Sequence, residues 1–218
     1  MVKALESYLA GSWRAPRDEG VVVRDAATGE DVARVASAGI DARTVIDHAR
    51  KVGGPGLRSR TFHERAAILK SLATLLTEKK KELYALSLHT GATRPDSAID
   101  IDGGIGTLFS YASKGRRELP DDTVYLDGPP EQIGKKGSFY GQHVFTSREG
   151  VALQVNAFNF PCWGFLEKLA PAFLAGIPTI VKPATPTAYL TELVVRQILE
   201  SGLMPEGTLQ LLLGRGDD

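Results

Sequence analysis

Three residues near the carboxyl end of the chain have types and spacing that could do chemistry together. Asn159 heads the triplet Asn159-Phe160-Pro161, Lys182 comes 23 residues later at the end of the apolar run Thr179-Ile180-Val181, and Thr185 follows. A preorganised amide N–H aimed at a carbonyl oxygen stabilises the negative charge that builds there in a transition state. An asparagine just before a proline is equally favoured as a turn residue or helix cap, and the motif alone leaves both readings open. A lysine at the end of a parallel strand stands where such sheets bind ligands, and its ammonium can donate to ribose hydroxyls or to phosphate. The competing reading is a surface lysine whose stem packs and whose head stays in water. Cys162 is the sole cysteine. A thiolate there would be a nucleophile, but a buried, inert thiol is the common case. With four histidines scattered and no second cysteine, there is no zinc spacing.

The elements that must position these residues follow from periodicity and turn chemistry. Thr179–Val181 reads as a short buried strand between helices at about 161–175 and 187–201, and Leu209–Leu213 is another apolar run. With a strand before Asn159 this makes a βαβ unit, which implies a parallel sheet. Upstream, residues 20–37 suggest a β-hairpin around Ala26-Ala27-Thr28-Gly29. Asp41 looks like the cap of a helix that Gly53-Gly54-Pro55-Gly56 should end. Thr61 and Glu64 make a capping-box pattern ahead of the stripe Ile68, Leu69, Leu72, Leu75, Leu76 and Leu83. A further helix is expected over about 95–114. Its Gly103-Gly104-Ile105-Gly106 imitates a phosphate loop but follows no strand, so close helix packing is the better reason for the glycines. Residues 119–137, rich in Pro, Asp and Gly, read as a connection, and 138–155 as two strands around Arg148-Glu149-Gly150.

Composition narrows the function class. Lys+Arg and Asp+Glu each number 26 in 218 residues, so no basic field draws the chain to nucleic acid or acidic lipid. The Lys79-Lys80-Lys81 run reads as a solvated helix face. One cysteine excludes an intrachain disulfide framework and fits a reducing compartment. The amino terminus lacks a secretory apolar region and no stretch is long enough to span a bilayer, so a cytoplasmic protein is expected.

The order and spacing of several motifs carry a family likeness. Asn-Phe-Pro at 159–161, Lys-Leu-Ala-Pro-Ala at 168–172, Ala-Gly at 175–176, Val-Lys-Pro at 181–183 and Gly-Leu-Met-Pro-Glu-Gly at 202–207 resemble the cofactor domain of the aldehyde dehydrogenases. A narrower likeness rests on 90–94, 102–109, 117–122 and 156–164. These resemble the dehydrogenase domains of bifunctional phenylacetate-degradation proteins and the semialdehyde dehydrogenases of aerobic benzoyl-CoA breakdown.

The resemblance implies an α/β fold: the N-terminal part of an aldehyde dehydrogenase, with an incomplete Rossmann-like parallel sheet, N-terminal helices and an oligomerisation hairpin. It divides the chain into a helical part of the cofactor-binding domain (1–136), the hairpin (137–150) and the first βαβ part (151–218). It implies oxidation of an aldehyde, a semialdehyde carrying a CoA thioester, in a homo-oligomer. In the family a cysteine thiolate attacks the aldehyde and the Asn-Phe-Pro asparagine, here Asn159, holds the oxyanion. Val155, Asn156, Ala157 and Phe158 match the segment that runs along the cofactor, and Lys182 matches the lysine that binds the adenosine ribose. Gly214 and Gly216 match glycines at the end of the next strand. NAD-preferring members commonly carry a glutamate three residues after the lysine. Lys182-Pro183-Ala184-Thr185 has a neutral hydroxyl there, which implies NADP rather than NAD.

The family's catalytic cysteine lies much farther along than Cys162, and its general base and pyrophosphate loop also belong beyond residue 218. The chain is therefore expected to be a fragment of a longer enzyme, inactive toward aldehydes by itself, with a sheet cut so that an edge is unpaired. The alternative is a non-catalytic nucleotide-binding or assembly module that ends at 218.

Overall fold

The computed structural model describes residues 2–39 and 41–214. Its first residues form three short strands: β1 (Lys3–Ala4), β2 (Ser7–Leu9) and β3 (Ser12–Arg14). None was expected from the sequence. β4 (Val21–Arg24) and β5 (Asp31–Val35) form the expected antiparallel hairpin, and β1 joins β5 in parallel.

Asp41 caps α1 (Ala42–His48), accepting from the Thr44 N–H. The glycine-proline run does not end this helix. It passes through a π-helical turn, Ala49–Gly53, into α2 (Gly54–Arg58). Pro55 falls in the first turn of α2, where its missing N–H breaks no intrahelical bond. Gly53 abuts the backbone of Gly207 with no room for a Cβ.

Two long helices start by one device. Thr61 and Glu64 exchange side-chain and backbone hydrogen bonds ahead of α3 (Phe62–Ser87), and Thr93 and Asp96 do so ahead of α4 (Arg94–Glu118). Each cap contributes about 1 kcal/mol. The expected stripe buries Leu69, Leu72, Leu76 and Leu83 fully, with Ile68 packed at its margin.

The segment read as a connection holds β6 (Val124–Gln132), paired antiparallel with β7 (Tyr140–Thr146). Pro129 and Pro130 hid it. They sit where the pairing register shifts, between Asp127 and Glu131, and a proline in an interrupted edge strand forfeits no ladder bond. The hairpin thus comprises β6 and β7. The strand after Gly150 belongs to another sheet.

That sheet contains β8 (Ala152–Val155), β9 (Thr179–Lys182) and β10 (Leu209–Leu211), all parallel, in the order β3-β2-β10-β9-β8. Between them lie α5 (Trp163–Leu174) and α6 (Ala188–Glu200), the latter entered through a 3-10 turn, Thr185–Thr187. The parallel βαβ arrangement is the one expected. The edge is not where the chain's end would put it. β10 is the third parallel strand and pairs on both sides, because β2 lies antiparallel against it. The Ala10 N–H donates to Gln210 Oε1 at 2.8 Å and the Leu213 N–H to Ser7 Oγ at 3.0 Å. Among the described residues the open edges are β3 and, on the parallel side, β8.

The core lies between this sheet and helices α3 to α6. Gly103 and Gly104 set how close α4 comes to α5. A Cβ on Gly103 would stand 2.8 Å from the Trp163 ring, and one on Gly104 3.0 Å from the Trp163 Cα. Gly106 faces open space, so packing explains two of the three glycines. Arg65 of α3 is buried and donates to the Leu174 carbonyl at 2.8 Å and to Ser147 Oγ at 3.2 Å, tying α5 to the base of the hairpin. Burial pushes its guanidinium down to about 10.

Candidate functional site at the strand ends

The carboxyl ends of β8, β9 and β10 bring the expected residues to one crest. Val155 is level with Lys182, and the Asn156 N–H donates to the Lys182 carbonyl at 3.0 Å. Lys182 Nζ and Thr185 Oγ1 both donate to the carbonyl of Gly214, at 2.9 and 3.3 Å. Ala184 is the extended residue that turns the chain into the 3-10 helix. Gly216 lies outside the described residues. The Lys182 ammonium has three donors. One is used on Gly214, and among the described residues Lys182 joins no ion pair. Asn156 is 6% exposed, and neither atom of its carboxamide has a partner among the described residues. A buried amide left unsatisfied costs about 1–3 kcal/mol, so this crest is short of polar partners. Ammonium and hydroxyl are polar groups that ribose hydroxyls and phosphate oxygens fit.

The loop from Ala157 to Phe160 rises from this crest with all four residues exposed. No hydrogen bond engages the Asn159 carboxamide among the described residues. Nor is Asn159 a helix cap. The helix starts at Trp163, its cap position is Cys162, and no side chain of its own segment caps it. The loop is held instead from two helices. Thr187 Oγ1 donates to the Phe158 carbonyl at 3.1 Å and Thr191 Oγ1 to the Pro161 carbonyl at 3.0 Å. The Asp100 carboxylate accepts from the Cys162 and Trp163 N–H groups. Sequence reasoning missed these three. Thr187 had a signal, a threonine heading a helix, but nothing local marks Asp100 or Thr191.

Cys162 is 1% exposed. Burial, and next the Asp100 carboxylate beside it, push its thiol well above the ordinary value, so it is no thiolate at neutral pH. A large apolar cavity, about 1050 Å³, opens beside Val45, Ile46, Leu153 and Ile180. It lies at the amino ends of β8 and β9, near Gly150 and Ile177, away from the crest.

A parallel βαβ sheet with a cation and a hydroxyl at its carboxyl ends defines a Rossmann-type class of fold. The aldehyde dehydrogenase family pattern matches residues 13–218, and the chain belongs to that family. It is 41% identical to a 3,4-dehydroadipyl-CoA semialdehyde dehydrogenase of Aromatoleum evansii, over 98% of the chain and 42% of that protein. A D-glyceraldehyde dehydrogenase (NADP(+)) of Picrophilus torridus is 26% identical, again over 98% of the chain and 42% of its length. The chain thus spans less than half of these relatives. Its fold matches aldehyde dehydrogenase 21 of Physcomitrella patens (TM-score 0.81, 21% identity) and lactaldehyde dehydrogenase of Escherichia coli (0.77, 23%), covering 100% of this chain and 44% of each of those.

Proposed function

We propose that the chain is the cofactor-binding part of an NADP-dependent aldehyde dehydrogenase acting on a CoA-linked semialdehyde in aromatic acid catabolism, as in phenylacetate breakdown. The carrying observation is the meeting of Lys182 and Thr185 at Gly214 with no carboxylate at the third position after the lysine. A glutamate at 185 would repel a 2′-phosphate, whereas a neutral hydroxyl leaves room for it and the neighbouring ammonium, with two donors unused among the described residues, can donate to it. Lys182 and Thr185 would hold the dinucleotide, with Val155, Asn156, Ala157 and Phe158 along its path. When bound, the dinucleotide supplies hydride acceptance. The chain's own contribution to the chemical step is Asn159, whose exposed amide N–H can donate to the oxygen of the aldehyde as it becomes anionic. Cys162, buried and protonated, has no part in that step. The CoA-semialdehyde substrate rests on the Aromatoleum relative.

Cofactor choice tests this reading. In the full-length protein carrying this sequence, Thr185→Glu is expected to lower the ratio of kcat/KM for NADP to that for NAD by at least about tenfold, or roughly 1.4 kcal/mol. Steady-state kinetics at fixed ionic strength check it, since salt screens the phosphate contribution. A parent enzyme that already prefers NAD, or an unchanged ratio, would count against it.

We also propose that the β6–β7 hairpin assembles subunits. It exposes Leu126, Tyr140, Val144 and Phe145 and, among the described residues, pairs with no other sheet, and exposed apolar strands need a partner to cover their edges. Light scattering at micromolar concentration should find an oligomer that Phe145→Asp dissociates. A parent that is already monomeric would sink the idea.

A further inference from the structure

Asp100 is a buried acid that the proposed chemistry leaves without a role. It lies in α4, is 4% exposed, and aims its carboxylate at the start of another helix. The Cys162 N–H donates to its two oxygens at 3.1 and 3.3 Å, and the Trp163 N–H donates at 2.7 Å. These are the first free N–H groups of α5, which its own segment leaves without a side-chain cap. Burial pushes the carboxyl upward, and the two N–H groups and the Cys162 thiol pull it back. The close approach that permits the contact is the one that Gly103 and Gly104 allow.

A helix N-terminus needs acceptors for its unsatisfied N–H groups, and asparagine is among the best. Asn159 stands three residues before Cys162. If nothing else capped α5, its carboxamide would be the nearest candidate for that work. We propose that Asp100 is the positioning residue of Asn159: by capping α5 from another helix it relieves Asn159 of that task and holds the loop with the carboxamide facing outward. The proposal rests on the reading of Asn159 as the oxyanion donor. Thr187 and Thr191 complete the clamp, so that the backbone is held both before and after Asn159-Phe160.

The experiment uses the full-length protein with Asp100→Ala and Asp100→Asn. Misplacing a reacting group by about 1 Å can cost about 10²-fold. Asp100→Ala is therefore expected to lower kcat by at least about tenfold. The cofactor KM should stay within about twofold, because the Lys182 crest is untouched. Asp100→Asn, nearly isosteric and with one acceptor oxygen left, should fall between the two, and it carries the comparison if the alanine variant does not fold. Hydrogen exchange at the Cys162 and Trp163 amides should quicken in step with the kinetic loss, while α3 amides keep their protection. In an Asn159→Ala background, Asp100→Ala should add no further loss in kcat, since the two act as one unit. Normal kcat in Asn159→Ala alone would overturn the oxyanion reading and this proposal with it. A large loss in Asn159→Ala, with normal kcat in every folded Asp100 variant, would overturn this proposal alone.

Discussion

Asn159→Ala in the full-length enzyme is expected to lower kcat by about 10²–10³-fold, or roughly 2.7–4 kcal/mol, the usual loss for one oxyanion donor. The size follows from what Asn159 does not do. Its carboxamide makes no hydrogen bond among the described residues, it caps no helix, and its loop is pinned on either side by Thr187, Thr191 and Asp100. The fixed backbone sets where the carboxamide is attached, and no structural bond has to break for its N–H to face the charge that develops. For the same reason stability should hardly change, and the KM for the dinucleotide should stay within about twofold. Steady-state kinetics and a thermal melt on the same samples separate the outcomes. A variant with near-normal kcat would make Asn159 a turn residue and nothing more.

Gly53→Ala should be a strongly damaging single-methyl change to the fold. A Cβ at Gly53 falls inside contact of the Gly207 carbonyl oxygen and only 2.5 Å from its carbonyl carbon, with the Thr208 nitrogen at 3.0 Å. Those are backbone atoms, which cannot swing aside as a side chain end can. Gly207 is in turn held at a positive φ of 71°. Forcing extra atoms into such a contact costs about 3 kcal/mol, which for a chain of this size lowers Tm by about 6–12 °C. Circular dichroism on heating checks it. An unchanged Tm would show that the turn before β10 can yield. Gly56→Ala is the control, because nothing lies within 4 Å of a Cβ there.

What the sequence made legible was local. The caps at Asp41 and Thr61, the leucine stripe of α3 and the apolar runs of the βαβ unit each carry their signal within a few residues. The lysine, threonine and glycine of the crest were readable too, because their spacing follows a family pattern. What escaped depends on tertiary approach. β2 is three residues long and has no periodicity to read; it is a strand because β3 and β10 lie on either side of it. β6 looked like a connection because prolines normally break strands, and only the register shift accommodates them. The run from Gly53 to Gly56 looked like a stop and is a continuous passage, because the π turn places Pro55 where it needs no N–H. Asp100 reaches a helix start 62 residues away, and no rule of spacing on α4 marks it.

The pairing of β2 with β10 gives the chain a history as well as a shape. β10 is made well after β2, with contacts joining residues 200 and more apart in sequence. At about 5–20 residues per second, roughly 10–40 s of synthesis separate the two. During that interval β2 has no β10 to lie against, and Leu9, wholly buried once the sheet is formed, has no sheet to enter. The α3–α4 helices, local in sequence, can form meanwhile, whereas a strand pairing of such span must wait for loop closure. Folding of this sheet is therefore gated from β10: β2 takes its place against the parallel strands only after β10 has been made.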